Sequence, residues 1–349
     1  MLLVSTNGGA GVKRVTIVDV ARRAETSTAV VSYVLNPGTK PVSDTLRSRV
    51  LQAVSDLDYR PHRHARALRR RTQWGLMGLL IPDLTLPFYG MLAGAIETEA
   101  RARRQLVMTG NTGFDAAVEL GLVRSFADAG VDSLLVAGMA DGASVAEICS
   151  EARIPLIWVH HNRGVVGGPV VCSDHVRAGA LAAGHLADAH GCRSIAFVGG
   201  FTEEHVQHGD RDTVRERYEG YESVVGKSLR HIMTDLTLDG AYRAVRASLD
   251  EDGAPDGLVV GTFHQSAAVL RALTDAGLRV PEDVPVIAFD ADARNAYAPI
   301  VLTTVRQDID EIARRSIDLA LSSGSQDDLP PERGQVVLSI AESCGCEPS

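Results

Sequence analysis

The sequence predicts a small all-α helix-turn-helix head followed by an α/β body of two lobes, and three observations predict it. Charge is segregated: residues 1–73 carry 13 Lys and Arg against 5 Asp and Glu, a balance of +8, whereas the rest carries 22 against 39, a balance of −17. A short basic segment on a long acidic body points to a nucleic-acid-binding head on an effector-binding or catalytic body. Between residues 16 and 57, apolar residues recur at helical spacing behind cap-forming residues. From Leu76 onward, short apolar runs alternate with amphipathic stretches, the pattern of a doubly wound sheet.

Composition narrows the class. The 349 residues are 45% hydrophobic and 23% charged, an ordinary globular balance with room for two or three domains. No apolar run reaches the ~18 residues that cross a bilayer. The first 14 residues are small and polar and lack a secretory apolar region, so a disordered tail and a cytoplasmic, membrane-free protein are expected. The five cysteines are scattered, odd in number and without a CxxC pair, which reads as mostly buried thiols in a reducing compartment.

Thr16 stands before Ile17, Val18, Val20 and Ala21, with Asp19 in the first turn, so a capped helix is expected to about Arg23. Ala24-Glu25-Thr26 makes a turn. Ser27 then caps a second helix to Leu35, whose Val30, Val31 and Val34 face the first helix. Thr28, Ala29, Ser32 and Tyr33 are left outward. After Asn36-Pro37-Gly38, Ser43 caps a third helix with Leu46, Val50, Ala53, Val54 and Leu57 on one stripe. The next segment, Tyr59 to Arg71, has five arginines from Arg63 on and one large apolar residue, Leu68, too little to stabilise a helix alone. In the body, seven runs read as strands, among them LMGLLIP, QLVMTGN, PLIWVHH, SIAFVGG and VPVIAFD. Ligands in such folds sit at the carboxyl ends of the strands.

The words TIVDVARRA, VVSYVLN, VSDTLRSRVLQAV and YRPHRHARAL resemble the lactose-repressor and galactose-repressor family of bacterial transcription regulators, and the similarity continues along almost the whole chain. Body segments PDLTLPFYGMLAGAIE, SDHVRAG, RYEGY, LRVPEDVPVIAFD and PIVLTTVRQDI belong to the same resemblance, which implies a periplasmic-binding-protein-like body. The implied boundaries are a head over 15–60, a hinge over 61–73 and an effector-binding and dimerisation domain over 74–349. Two positions depart from the pattern: Glu25 where the family usually has Gly, and Tyr33 where it usually has Arg.

The implied function is a homodimeric regulator, a repressor by resemblance, that binds double-stranded operator DNA and is switched by a sugar-like effector. Short side chains at the start of a helix can reach base edges in the major groove. Thr28 and Ala29 suit thymine methyl groups, and Tyr33 offers a ring and a hydroxyl, although it can instead cover the packing face. Ser27 caps the reading helix, and Thr16 and Ser32 suit phosphates. In the hinge, the resemblance makes Leu68 a minor-groove wedge, with Arg66 and Arg69 near phosphates.

For the effector pocket the resemblance carries over Arg217, before Glu219-Gly220-Tyr221, Asp290 at the end of VIAFD, Phe88 in the loop after the first body strand, and Asn111. An inter-lobe salt bridge is the other role open to Arg217 and Asp290, and a core aromatic the other role for Phe88. His160-His161, Thr262-Phe263 and Asp174-His175 stand where the family has Asp-Arg, Asn-Asp and Asp-Asn pairs, so His161 and Phe263 join the candidates and the effector need not be an ordinary hexose.

No catalytic set emerges. Gly226-Lys227-Ser228 lacks the glycine a phosphate loop needs six residues before its lysine, no G-x-S-x-G is present, and Glu204 to His208 reads as a surface turn. The histidines form no legible ligand set, so neither metal nor cofactor is expected. The reading from a different class is a cytoplasmic solute-binding or enzymatic α/β protein with an incidental basic head.

Overall fold

The computed structural model describes residues 17–35, 42–57, 74–138, 141–160, 167–207, 209–226, 228–322 and 332–347. The chain divides into two compact units, residues 1–72 and 73–349.

The first unit holds α1 (Ile17–Arg23), α2 (Thr28–Leu35) and α3 (Asp44–Asp56). Val20, Ala21, Ala24, Val31, Val34, Val50 and Ala53 form its core, while Val30, Val54 and Leu57 are half-buried against it. Ser27 caps α2: its Oγ accepts the Val30 N–H at 3.3 Å. Ser43 occupies the cap position of α3 but makes no side-chain cap bond, which corrects the sequence expectation there. Thr16 lies outside the described residues. The turn between α1 and α2 puts Glu25 at φ +48°, a conformation that favours glycine. Arg49 on α3 secures that turn, donating to the Ala24 carbonyl at 2.6 Å and the Glu25 carbonyl at 3.1 Å.

The second unit contains two six-stranded sheets. In one lobe β1 (Gly75–Ile81), β2 (Gln105–Asn111), β3 (Ser133–Ala137), β4 (Leu156–Val159), β5 (Val170–Ser173) and β11 (Glu332–Gly334) lie in the order β11-β5-β4-β3-β1-β2. In the other, β6 (Ile195–Gly199), β7 (His231–Met233), β8 (Gly257–Val260), β9 (Val286–Phe289), β10 (Thr303–Gln307) and β12 (Val336–Ser339) lie in the order β12-β10-β9-β8-β6-β7. The lobes therefore share one winding, and β4 is the counterpart of β9. All ladders are parallel except β10 with β12. Most strands are buried on both faces, as parallel strands covered by helices must be. Their continuous apolar runs made them legible, whereas β5, β7, β10, β11 and β12 were missed because they are short or interleaved with polar residues such as Thr303, Thr304 and Gln307.

The first lobe is covered by α4 (Pro87–Ala102), α5 (Ala116–Ala129), α6 (Gly142–Ala152) and α11 (Ile309–Leu321); the second by α7 (His175–His190), α8 (Arg211–Val225), α9 (Leu238–Asp252) and α10 (Phe263–Asp275). The chain passes between lobes three times, after β5, after β10 and between β11 and β12. Helices α7 and α8 pack closely because two glycines face backbone: a Cβ on Gly179 would fall 1.9 Å from the Arg217 carbonyl oxygen, and one on Gly220 1.9 Å from that of Val176. That contact fixes the helix carrying Arg217.

Candidate functional site

The carboxyl ends of the strands in both lobes face a common cleft, as expected for this winding. Two strand-end residues there have left-handed backbones although neither is glycine: His160 after β4 at φ +68°, and its counterpart Asp290 after β9 at φ +53°. Each is tied to the next strand, the His160 N–H donating to the Val171 carbonyl at 2.8 Å and the Asp290 N–H to that of Val305 at 3.0 Å. Such backbones cost about 1–3 kcal/mol each and persist where surrounding structure imposes them.

Between the lobes lies a cavity of about 280 Å³. Phe88, Phe114, Phe263 and Phe289 form much of its wall, and Arg217, Asp290, Thr237, Thr262, His264 and Asp83 supply polar edges. On the floor, Arg217 donates to Asp290 at 2.6 Å and to the Gly261 carbonyl at 2.9 Å, with its guanidinium 4.3 Å from the centre of the Phe289 ring. Asp290 also accepts the backbone N–H of Gln307 at 2.9 Å and its side-chain amide at 2.8 Å. Both members of the ion pair are about 95% buried. Because α8 and β9 belong to one lobe, the pair is not the inter-lobe bridge that was one reading of it.

The bridge between lobes centres instead on Asp210, which the sequence reading missed. As the cap of α8 it accepts the Thr213 N–H at 3.1 Å. Its other oxygen accepts the Thr213 hydroxyl at 2.7 Å, the Tyr89 hydroxyl at 2.9 Å and His160 Nε2 at 3.0 Å. Tyr89 and His160 come from the first lobe, Asp210 and Thr213 from the second. The carboxylate partner makes Nε2 the protonated ring nitrogen of His160. Burial above all, and then the Asp210 charge, push the Tyr89 hydroxyl well above its ordinary pKa, so it remains a donor at neutral pH. This contact also partitions the cleft: a second, more polar cavity of about 270 Å³, lined by Thr112, Glu119, Gln207, Arg211 and Asp212, shares Tyr89, Phe114, Gly209 and Asp210 with the first. A D-x-x-T cap before an amphipathic helix was the available signal for Asp210, but it reads equally as an ordinary helix start.

Of the sequence candidates, Phe88, Arg217, Phe263 and Asp290 come together at the first cavity. Phe88, in the first turn of α4, lies against His160 with centroids 4.2 Å apart, and His160 meets the His175 ring at 4.9 Å. Asn111 does not join them: its Oδ1 accepts the Leu84 N–H at 3.0 Å, holding the loop after β1, and it lies outside the cavity wall. His161 falls outside the described residues. In the head, Ser27, Thr28 and Ala29 are exposed at the start of α2, while Ser32 and Tyr33 are half-buried. Thr16, Arg66, Leu68 and Arg69 fall outside the described residues.

Comparison with known proteins agrees with both units. Residues 16–62 match the lacI family of bacterial regulatory proteins, and residues 165–342 match the periplasmic binding protein-like domain. Catabolite control protein A of Priestia megaterium is 31% identical over 311 residues, spanning 86% of this chain and 91% of that protein. A LacI family regulator from Enterococcus faecium, solved with bound ribose, is 26% identical with a TM-score of 0.64 over 77% of this chain and 98% of that one. The lac repressor dimer bound to operator and an anti-inducer shares the fold at a TM-score of 0.69 and 22% identity, over 95% of this chain and 99% of that one. With the paired lobes, the head and these relatives in agreement, the chain belongs to the lacI family of bacterial regulatory proteins.

Proposed function

We propose that this regulator is a cytoplasmic, homodimeric repressor that grips a roughly palindromic operator with paired heads (15–60) and hinge segments (61–73). Its body (74–349) is switched by a small polar ring compound, a sugar or related metabolite, held in the cleft. The observation that carries the reading is the Asp210 bridge, which joins the lobes at the wall of a cavity floored by Arg217 and Asp290. A ligand there contacts both lobes and shifts their relative placement by its differential affinity for the two states.

The wall chemistry narrows the ligand. Phe88 and Phe263 offer flat apolar faces for a ring, and the polar edges suit hydroxyl or carbonyl groups. A cavity of about 280 Å³ suits one ring better than an extended oligosaccharide. In the head, the exposed Thr28 and Ala29 suit base edges, with Tyr33 one turn on. Ser27, Thr16 and Ser32 suit helix capping and phosphate contact, and Leu68 with Arg66 and Arg69 suits a minor-groove wedge. Burial pushes Cys149 to about 11 and Cys172 to about 12, so neither supplies a thiolate nucleophile at neutral pH.

Gel-shift measurements on duplexes from the chain's own upstream region, combined with a thermal-shift screen of sugars, nucleobases and small acids, test the reading. A specific, salt-sensitive shift that a stabilising compound modulates is expected. Absence of any specific shift, with and without those compounds, overturns it.

A further inference from the structure

The second lobe carries a cluster that neither the DNA-binding head nor the cleft uses. His185 and His190 lie in the last turns of α7, with their Nε2 atoms 3.2 Å apart. Cys346, 161 and 156 positions away in sequence, places its Sγ 3.6 Å from His185 Nε2 and 3.4 Å from His190 Nε2. Cys344 completes the group, and the four donor atoms all lie within 4.8 Å of one another. Separation along the chain is why no ligand set was legible in the sequence.

The local backbone is built for this convergence. Ser343 is fixed to strand ends, its Oγ donating to the Val286 carbonyl at 2.6 Å and accepting the Thr303 N–H at 2.8 Å. Cys344 is buried. Gly345 then adopts φ +89°, a left-handed conformation that suits glycine, and lies beside the His190 ring. The Cys346 sulfur thereby reaches both imidazoles, while the Cys344 sulfur, 3.6 Å from the Ala341 carbonyl, lies within 4.8 Å of them.

Two thiols and two imidazoles are the donor set of a closed structural zinc site. Tetrahedral zinc, with bonds of about 2.0–2.1 Å to nitrogen and about 2.3 Å to sulfur, requires nitrogen–nitrogen spacings near ~3.4 Å and nitrogen–sulfur spacings near ~3.6 Å. The 3.2, 3.6 and 3.4 Å among His185, His190 and Cys346 are those spacings within a few tenths of an ångström, and the Cys344 sulfur lies within 4.8 Å of all three donor atoms. A hydrogen bond between the two imidazoles accounts for one of these approaches, but not for the convergence of four donor atoms.

We propose that His185, His190, Cys344 and Cys346 bind one Zn²⁺ ion, which clamps the C-terminal segment to the end of α7. On binding, both thiols become thiolates and release their protons to solvent.

Metal analysis of the purified full-length chain, followed by cobalt substitution, tests this. One zinc per chain is expected, and the cobalt form should show thiolate-to-cobalt charge transfer with the intense visible bands of a tetrahedral site. Cys346→Ser and His185→Ala should each weaken zinc affinity by at least ~10-fold. Cys192→Ser should leave it unchanged, because that thiol donates to the Asp256 carbonyl outside the cluster. The proposal is overturned if wild-type protein takes up no zinc when supplied with it, if its cobalt spectrum is octahedral, or if the cluster variants keep full affinity. Wild-type metal content and the cobalt spectrum decide the matter even where a variant fails to fold.

Discussion

The Tyr89 hydroxyl donates to the Asp210 carboxylate across 2.9 Å, and the two residues belong to opposite lobes. Tyr89→Phe keeps the ring and removes only that donor. A hydrogen bond to a charged group contributes about 1.5–3 kcal/mol, so the denaturation midpoint of the body should fall correspondingly with an unchanged slope. Urea unfolding followed by circular dichroism reads this, and an unaltered midpoint would show that the bridge carries no energy.

Arg217 and Asp290 form a second relationship with a different signature. Removing one partner leaves a buried charge uncompensated, so Arg217→Met or Asp290→Asn alone should cost about 3–5 kcal/mol or a large part of it. The double variant should cost less than the two single losses combined, because the charges leave together. A double-mutant cycle by urea unfolding measures the coupling, and strict additivity would contradict it.

In the head, Glu25 sits at φ +48°. A left-handed non-glycine residue costs about 1–2 kcal/mol, partly offset in Glu25→Gly by the greater unfolded-state entropy of glycine, about 0.5–1 kcal/mol. A net gain of about 0.5–1 kcal/mol follows, visible as a higher melting temperature of the head transition in calorimetry of the full chain.

His231 should contribute to acid sensitivity, alongside His185 and His264, whose pKa values burial also lowers. Its Nε2 donates to the Gly199 carbonyl at 2.7 Å, and its ring stacks on Phe201 at 5.2 Å. Burial lowers its pKa, so the folded state binds its proton less readily than the unfolded chain. Stability is therefore full above the unfolded value of about 6.5 and declines as pH falls below it. His231→Phe should flatten that part of the decline, read as melting temperatures between about pH 7.5 and about pH 5. An equally steep decline in the variant would assign acid sensitivity elsewhere.

The legible parts of this molecule were those written in local patterns. The three head helices follow from apolar spacing, the second also from its Ser27 cap, and the long buried strands from continuous apolar runs. Phe88, Arg217, Phe263 and Asp290 were legible through resemblance, since nothing about an arginine in mid-helix announces the carboxylate it will meet 73 positions later. Asp210 was hidden because a helix cap and an inter-lobe acceptor look identical in one dimension. Asn111 misled for the converse reason: a polar residue at a strand end can serve its own loop instead of the cleft.

Gln307 ends β10 and is bonded twice to Asp290, which holds Arg217. Two residues later the chain begins α11, whose Ile312, Ala313 and Ile317 are packed in the core of the other lobe. The floor of the cavity and one of the three joints are thus a single piece of machinery. The proposed ligand contact at Arg217 is therefore separated from that joint only by the Asp290 carboxylate and Gln307.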